Sequence, residues 1–175
     1  MEYSELIARR YSVRAYKPSP VEEDKLLRVL EAARLAPTAA NCQPFRVIVC
    51  HTEGRNEDFK RIYHRDWFVS APIVIAVCGV QREAWVRNDG KSYLDVDAAI
   101  VMDHLILAAT NEGLGTCWIA AFNADEARRV LELPKGIEPI VLTPLGYPAD
   151  QPKPKERKPL ASLLYYERWG GTKVS

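Results

Sequence analysis

Arg9, Arg10, Ser12 and Arg14 put three guanidiniums and a hydroxyl into the short string RRYSVR. Guanidinium forks match phosphate oxygens two at a time and a serine adds a neutral donor, so the string suits an anion cradle. A solvated basic face is the commoner use of such a run. A second group is made of amides: Asn41 and Gln43 stand in PTAANCQP, a loop bounded by Pro37 and Pro44. Each amide has two donors and an acceptor, which fits a planar heterocycle with carbonyl and imide edges. Asn in turns as often bonds its own backbone, and residue chemistry alone does not choose between the two.

Other chemistries find less support. His51, His64 and His104 are scattered, and no His/Asp/Glu spacing suggests a metal. Cys42, Cys50, Cys78 and Cys117 form no C-x-x-C pair, and three of them lie in or beside apolar strings, so buried free thiols are the expectation. A net charge of +1 gives no reason to expect nucleic acid. With 47% hydrophobic and 27% charged residues, the 175-residue chain has the composition of one globular domain, taken to span 1–175. No segment reaches the run of about 20 apolar residues that a membrane helix needs. The opening MEYSELIARRYS carries acidic residues and no apolar core of a secretory signal, which makes the cytoplasm the expected location.

These groups must be held by elements, and the organising one is VDAAIVMDHLILAATNEGLGTCWI, Val96 to Ile119. Between Val96 and Ala109 almost every residue is apolar. Asp97, His104 and Asn111 recur every seven residues, as do Asp103 and Thr110, which places them in one arc of about 140° at about 100° per residue. The rest of the wheel is apolar, wider than one core requires, so the helix is expected to be covered by its own domain and by a second subunit. Gly113 and Gly115 stop it, and the apolar segment Thr116 to Ala121 follows as a strand.

Along the rest of the chain, Ser4 is a candidate N-cap for a helix from Glu5 to Arg9, which runs into RRYSVRAY as an extended piece. Glu22 to Leu35 is amphipathic, with Leu26, Leu27, Leu30 and Ala33 inward. Phe45–Cys50, Ile73–Val80 and Pro139–Leu145 are predicted strands, and 56–64 a helix. Gln81 to Asp95 has no clean period and suits a surface connection or a mobile cover with Trp85, Gly90 and Tyr93. Asn123 caps a helix to Leu133, and Gly146-Tyr147-Pro148 forms a turn. QPKPKERKPL, Gln151 to Leu160, should run extended over the surface and end in Leu160, Leu163, Leu164, Tyr165, Tyr166 and Trp169, an apolar patch suited to reaching another subunit.

Five strings, RYSVR, APTAANCQPF, GLGTCWIAAF, GYP and KERKPL, together resemble the FMN-dependent nitroreductase family in order and spacing. The resemblance implies an α+β fold, an antiparallel-dominated sheet flanked by helices, made as an intertwined homodimer with C-terminal arm exchange and FMN at the subunit interface. It implies that Arg10 and Ser12 hold the FMN phosphate, that Tyr11 lies against the cofactor, and that Arg14 faces the pyrimidine edge of the ring. Pro37, Thr38 and Asn41, with Gln43 close by, resemble the loop that reaches the flavin from the other subunit. Trp118, Ile119 and Ala120 match the strand under the ring, where a backbone N–H approaches flavin N5, and Lys155 and Arg157 the pair that closes on the phosphate. Tyr11, Phe45 and Ala120-Ala121 depart from the family pattern, which often has a basic residue, Trp and Gly there.

The activity so implied is hydride transfer from NAD(P)H through FMN to a small organic acceptor such as a nitroaromatic or a quinone. Gly113-Leu-Gly115 lacks the third glycine of a dinucleotide fingerprint and leads into a strand, so NAD(P)H and acceptor are expected to share one place in turn, with ping-pong kinetics. A flavin-binding sensor or carrier without turnover, and a flavin-cleaving or dehalogenating relative, are the alternatives on the same scaffold.

Overall fold

The computed structural model describes residues 1–172; the last three residues of the expected domain lie outside it. Its centre is the strand β2, Ile73–Val80, buried along its whole length. β1 (Phe45–His51) pairs with one edge of β2 and β4 (Ile137–Gly146) with the other, and β3 (Gly115–Thr116) adds to β4. All three pairings are antiparallel, in the order β1-β2-β4-β3. Side chains alternate across a strand, so β2 feeds two cores. Ile73, Ile75 and Val77 pack with α2 (Glu23–Arg34) and α5 (Leu94–Asn111), while Val74, Ala76 and Cys78 pack with α3 (Asn56–Ile62), α4 (Asp66–Val69) and α6 (Ala124–Val130). A strand covered on both faces must be apolar at every position, which explains IVIAVCGV.

Several expectations need correction. The first helix, α1, spans Tyr3–Arg9, so Ser4 lies inside it and makes no cap bond. Leu27 is 55% exposed: α2 buries Leu26, Val29 and Ala33, and one chain offers nothing to cover the next position round. The helix expected over 56–64 breaks at Tyr63, whose backbone is extended, and the chain re-enters helix as α4. The strand expected over Thr116–Ala121 is reduced to β3 and a single bridge from Ile119 to Leu142. Asn123 behaves as expected, its side chain accepting from the N–H groups of Asp125 and Glu126.

α5 starts two residues earlier than its apolar run and ends where Gly113, at φ +76°, lets Leu114 N–H reach back to the Ala109 carbonyl. Its polar arc is divided. Asp97 is buried, because the loop from Pro37 to Pro44 lies over that end of the helix. Asp103 is exposed, and Thr110 satisfies its hydroxyl on the Ile106 carbonyl four residues back. Val96, Ala99, Ile100, Asp103 and Leu107 form a stripe that this chain leaves wholly or partly open.

Residues 11–16 are extended, as read from the sequence, and are tied to the end of the sheet. Ser12 bridges Thr116 in parallel, Val13 N–H donates to the Thr116 carbonyl, and Tyr16 bridges Pro148. Gly115 is required at this crossing, since a Cβ there would stand 2.6 Å from Val13 Cγ2. The tail from Gln151 to Gly170 is exposed, with one short 3-10 turn at Leu160–Ser162.

Candidate functional site

The extended segment 10–14 and the first part of the tail, 150–157, form two walls of a groove of about 780 Å³. It is lined by Arg10, Tyr11, Ser12 and Arg14 from one wall and by Lys153, Lys155 and Arg157 among others from the opposite one. Two basic strings some 140 positions apart thus face one space. The guanidiniums of Arg10 and Arg14 have no carboxylate partner among the described residues, and Arg157 reaches only the Glu156 carbonyl. Arg28, Arg34, Arg46, Arg87, Arg128 and Arg129 are by contrast each held by a carboxylate. Lys155 donates to the carbonyls of Ala8 and Arg10, which fixes the tail across the end of α1. Its ammonium is pushed below the usual lysine range, first by desolvation and then by Arg10 and Arg157. Like charges crowded in excess of the one acid that lines the groove favour an anion between them.

Asp150 was not singled out in the sequence, and it closes the floor of this groove. Tyr11 Oη donates to Asp150 Oδ1 and to the Asp150 carbonyl, at 3.1 Å each, and the backbone N–H of Arg14 donates to Oδ2 at 2.8 Å. Burial, then the Asp150 charge and its hydrogen bond, push the Tyr11 hydroxyl up to about 12, so it stays a donor at neutral pH. The only local hint is an acid just before a basic, proline-rich tail; its partners are 139 and 136 positions away.

Thr116, bridged to Ser12, delivers the segment 117–120 beside the groove. Cys117 is buried under Ser12 with its thiol raised by desolvation, which removes it from nucleophilic chemistry. Ile119 is turned into the core and its N–H is taken by the Leu142 carbonyl at 2.9 Å, so it cannot be the backbone donor to a ligand. Trp118 and Ala120 alternate with it on the exposed side, and neither of their N–H groups has a backbone partner among the described residues.

The amide loop is elsewhere. Pro37, Thr38, Asn41 and Gln43 do not line the groove of their own chain. Ala40, Asn41 and Gln43 all have φ near +50°, a conformation that costs non-glycine residues roughly 1–3 kcal/mol and persists only when the surroundings impose it. Gln43 N–H donates to Thr38 Oγ1, Gln43 Nε2 to the Asn41 carbonyl and Oδ1, and Ala39 N–H to Asp97 Oδ1 at 2.9 Å. The amides therefore bond within the loop, yet both side chains remain exposed. Among the described residues no cluster of three His, Cys, Asp or Glu could hold a metal, and no helix is long and apolar enough to cross a membrane.

An antiparallel sheet between two helical layers, with a groove rich in cations at its end, defines an α+β protein. The chain belongs to the nitroreductase family, whose sequence profile matches residues 7–72 and 56–147. A nitroreductase family protein of Clostridium difficile is 38% identical and superposes with a TM-score of 0.86 over 96% of this chain and 99% of that one. Among curated proteins, an FMN reductase (NAD(P)H) of Bacillus subtilis is 29% identical over 175 residues, 90% of this chain and 70% of the relative. An NADH dehydrogenase of Thermus thermophilus is 27% identical over 189 residues, covering 90% and 92%.

Proposed function

We propose that this chain is an FMN-dependent oxidoreductase that carries a hydride from NAD(P)H to a small organic acceptor, such as a nitroaromatic or a quinone, by a ping-pong mechanism. The observation that carries it is the convergence of Arg10, Arg14, Lys155 and Arg157 on one groove whose single lining acid, Asp150, forms an ion pair with none of the four among the described residues. A terminal phosphate fits that donor set, and the Bacillus FMN reductase and the Thermus NADH dehydrogenase are precedents for FMN and NADH chemistry.

FMN, when bound, supplies the hydride chemistry, and the chain supplies position and field. Arg10, Ser12, Lys155 and Arg157 hold the phosphate. Tyr11 forms the wall beside the cofactor, and Arg14 offers a fixed cation to the ring. Trp118 and Ala120, rather than Ile119, present backbone donors to it, with Ile119 anchoring the segment on β4. Pro37, Thr38, Asn41 and Gln43 complete the site of a second copy, so the working unit is an intertwined homodimer with exchanged C-terminal arms. Four free thiols suit the cytoplasm.

The test is the absorbance spectrum of the purified protein, with FMN added if needed, before and after anaerobic NAD(P)H. Bound FMN that bleaches with NAD(P)H is expected. A protein that takes up no FMN overturns the proposal at the cofactor, and bound FMN that NAD(P)H leaves oxidised overturns it at the reaction, leaving a binding protein.

A further inference from the structure

The acid in the cationic groove is the least expected of its residues. A carboxylate facing a phosphate site costs affinity unless its charge is already used. The Asp150 oxygens are both engaged, though by neutral donors that leave the charge in place: one accepts from the Tyr11 hydroxyl and the other from the Arg14 N–H, so the acid is held in the wall of the groove. Those partners are the two residues that flank Ser12 and Val13, in the segment that carries Arg10, Ser12 and Arg14. Next to it, Ala149 N–H donates to the Ala15 carbonyl, and five residues later Lys155 grips the Ala8 and Arg10 carbonyls. The tail is therefore attached to the segment 8–15 at two points, and the groove is the space between them.

Tyr11 and Asp150 work as a pair. A neutral hydroxyl takes one oxygen of the acid and a backbone N–H the other, so no arginine side chain of the groove is spent on it among the described residues.

We propose that Asp150 is a positioning residue for phosphate recognition: through Tyr11 Oη and Arg14 N–H it fixes the separation of the two walls, so that Arg10, Ser12, Lys155 and Arg157 converge on one phosphate. The proposal rests on the FMN function above. It assigns Asp150 no contact with ligand, and it requires that the loss on substitution fall on the phosphate end alone.

FMN and riboflavin differ by that phosphate. The experiment is a fluorescence titration of the full chain, freed of flavin, with FMN and separately with riboflavin, for the parent, Asp150→Ala, Asp150→Asn and Tyr11→Phe. Asp150→Ala is expected to weaken FMN by about tenfold, equivalent to ~1.4 kcal/mol, while riboflavin binding stays within twofold. Tyr11→Phe, which removes one hydroxyl and keeps the carboxylate, is expected to show the same selective loss at smaller size, and it carries the test if Asp150→Ala fails to fold. Equal losses for both flavins would reduce Asp150 to general stability and overturn the proposal. Tighter FMN binding in Asp150→Asn would show plain repulsion and also overturn it. A parent protein that binds riboflavin and FMN equally refutes phosphate recognition by the groove, whereas one that binds neither refutes the flavin function itself, and each outcome ends this proposal too.

Discussion

Arg14 and Arg157 line the same groove, but in the proposed complex they face different charges. A cation beside the flavin ring stabilises whichever redox form carries more negative charge, which is the reduced one, and only that difference moves a potential. A cation on the phosphate senses no change in the ring. Replacing Arg14 by Ala removes a charge-assisted bond of about 1.5–3 kcal/mol, and with roughly 30 mV per 1.4 kcal/mol for a two-electron couple the midpoint potential of bound FMN is expected to fall by some tens of millivolts. Arg157→Ala is expected to weaken FMN binding and leave that potential nearly unmoved. Redox titration of both variants beside the parent decides it, and equal shifts in the two would mean that Arg14 does not face the ring. At this scale the sequence displayed the cations of the groove but not their partners. RRYSVR displays its cations in six consecutive letters, while the acid that organises them stands at 150 and meets them only through the fold.

The loop over α5 poses the corresponding question for an element. Three left-handed non-glycine residues in succession or nearly so cannot hold themselves; Val80 N–H donates to the Pro44 carbonyl at the loop's end, and the bond that seats its middle on α5 is Ala39 N–H to Asp97. Asp97 is 1% exposed and its second oxygen has no partner, an arrangement that a single water or a rearranged loop N–H would complete. Asp97→Ala is expected to cost about 1–3 kcal/mol by orphaning the Ala39 donor, with the amides of Asn41, Cys42 and Gln43 exchanging hydrogen faster than in the parent. Asp97→Asn keeps an oxygen for Ala39 and should retain most of the protection. Unchanged exchange in Asp97→Ala would show that the loop is seated by something else. Elements with a strong period were plain in the sequence: β2 coincides with Ile73–Val80, and Asn123 caps α6 as its position before an acidic first turn suggests. Those that depend on tertiary contact were not. Asp97 was counted into a polar arc because a helical wheel cannot show the loop that buries it, and the strand expected over Thr116–Ala121 shrank because Thr116 and Ile119, not the whole segment, pair with β4.

At the scale of the molecule, the chain leaves much apolar side-chain surface open. Leu27 and Leu35 on α2, Val96 on α5 and Trp118 are exposed apolar side chains, and the tail adds Leu160, Leu163, Leu164 and Trp169, the last 90% exposed. Apolar area in water costs about 25 cal/mol per Å², and a patch of this extent on a protein without a partner is uncommon. The amide loop points to the same missing body, since its exposed side chains line no groove of their own chain. A second copy related by a two-fold axis would cover the helices, receive the tail and bring Asn41 and Gln43 to a flavin in one arrangement. Deleting the residues after Pro159 is then expected to lower FMN retention as well as thermal stability, although Lys155 and Arg157 are kept, because assembly and cofactor binding are linked. Light scattering on the parent and the truncated protein, with bound FMN measured on each, tests this. A full-length protein that runs as a stable, FMN-loaded monomer would refute the dimer, and a truncated one that keeps both its FMN and its stability would show that the tail serves neither.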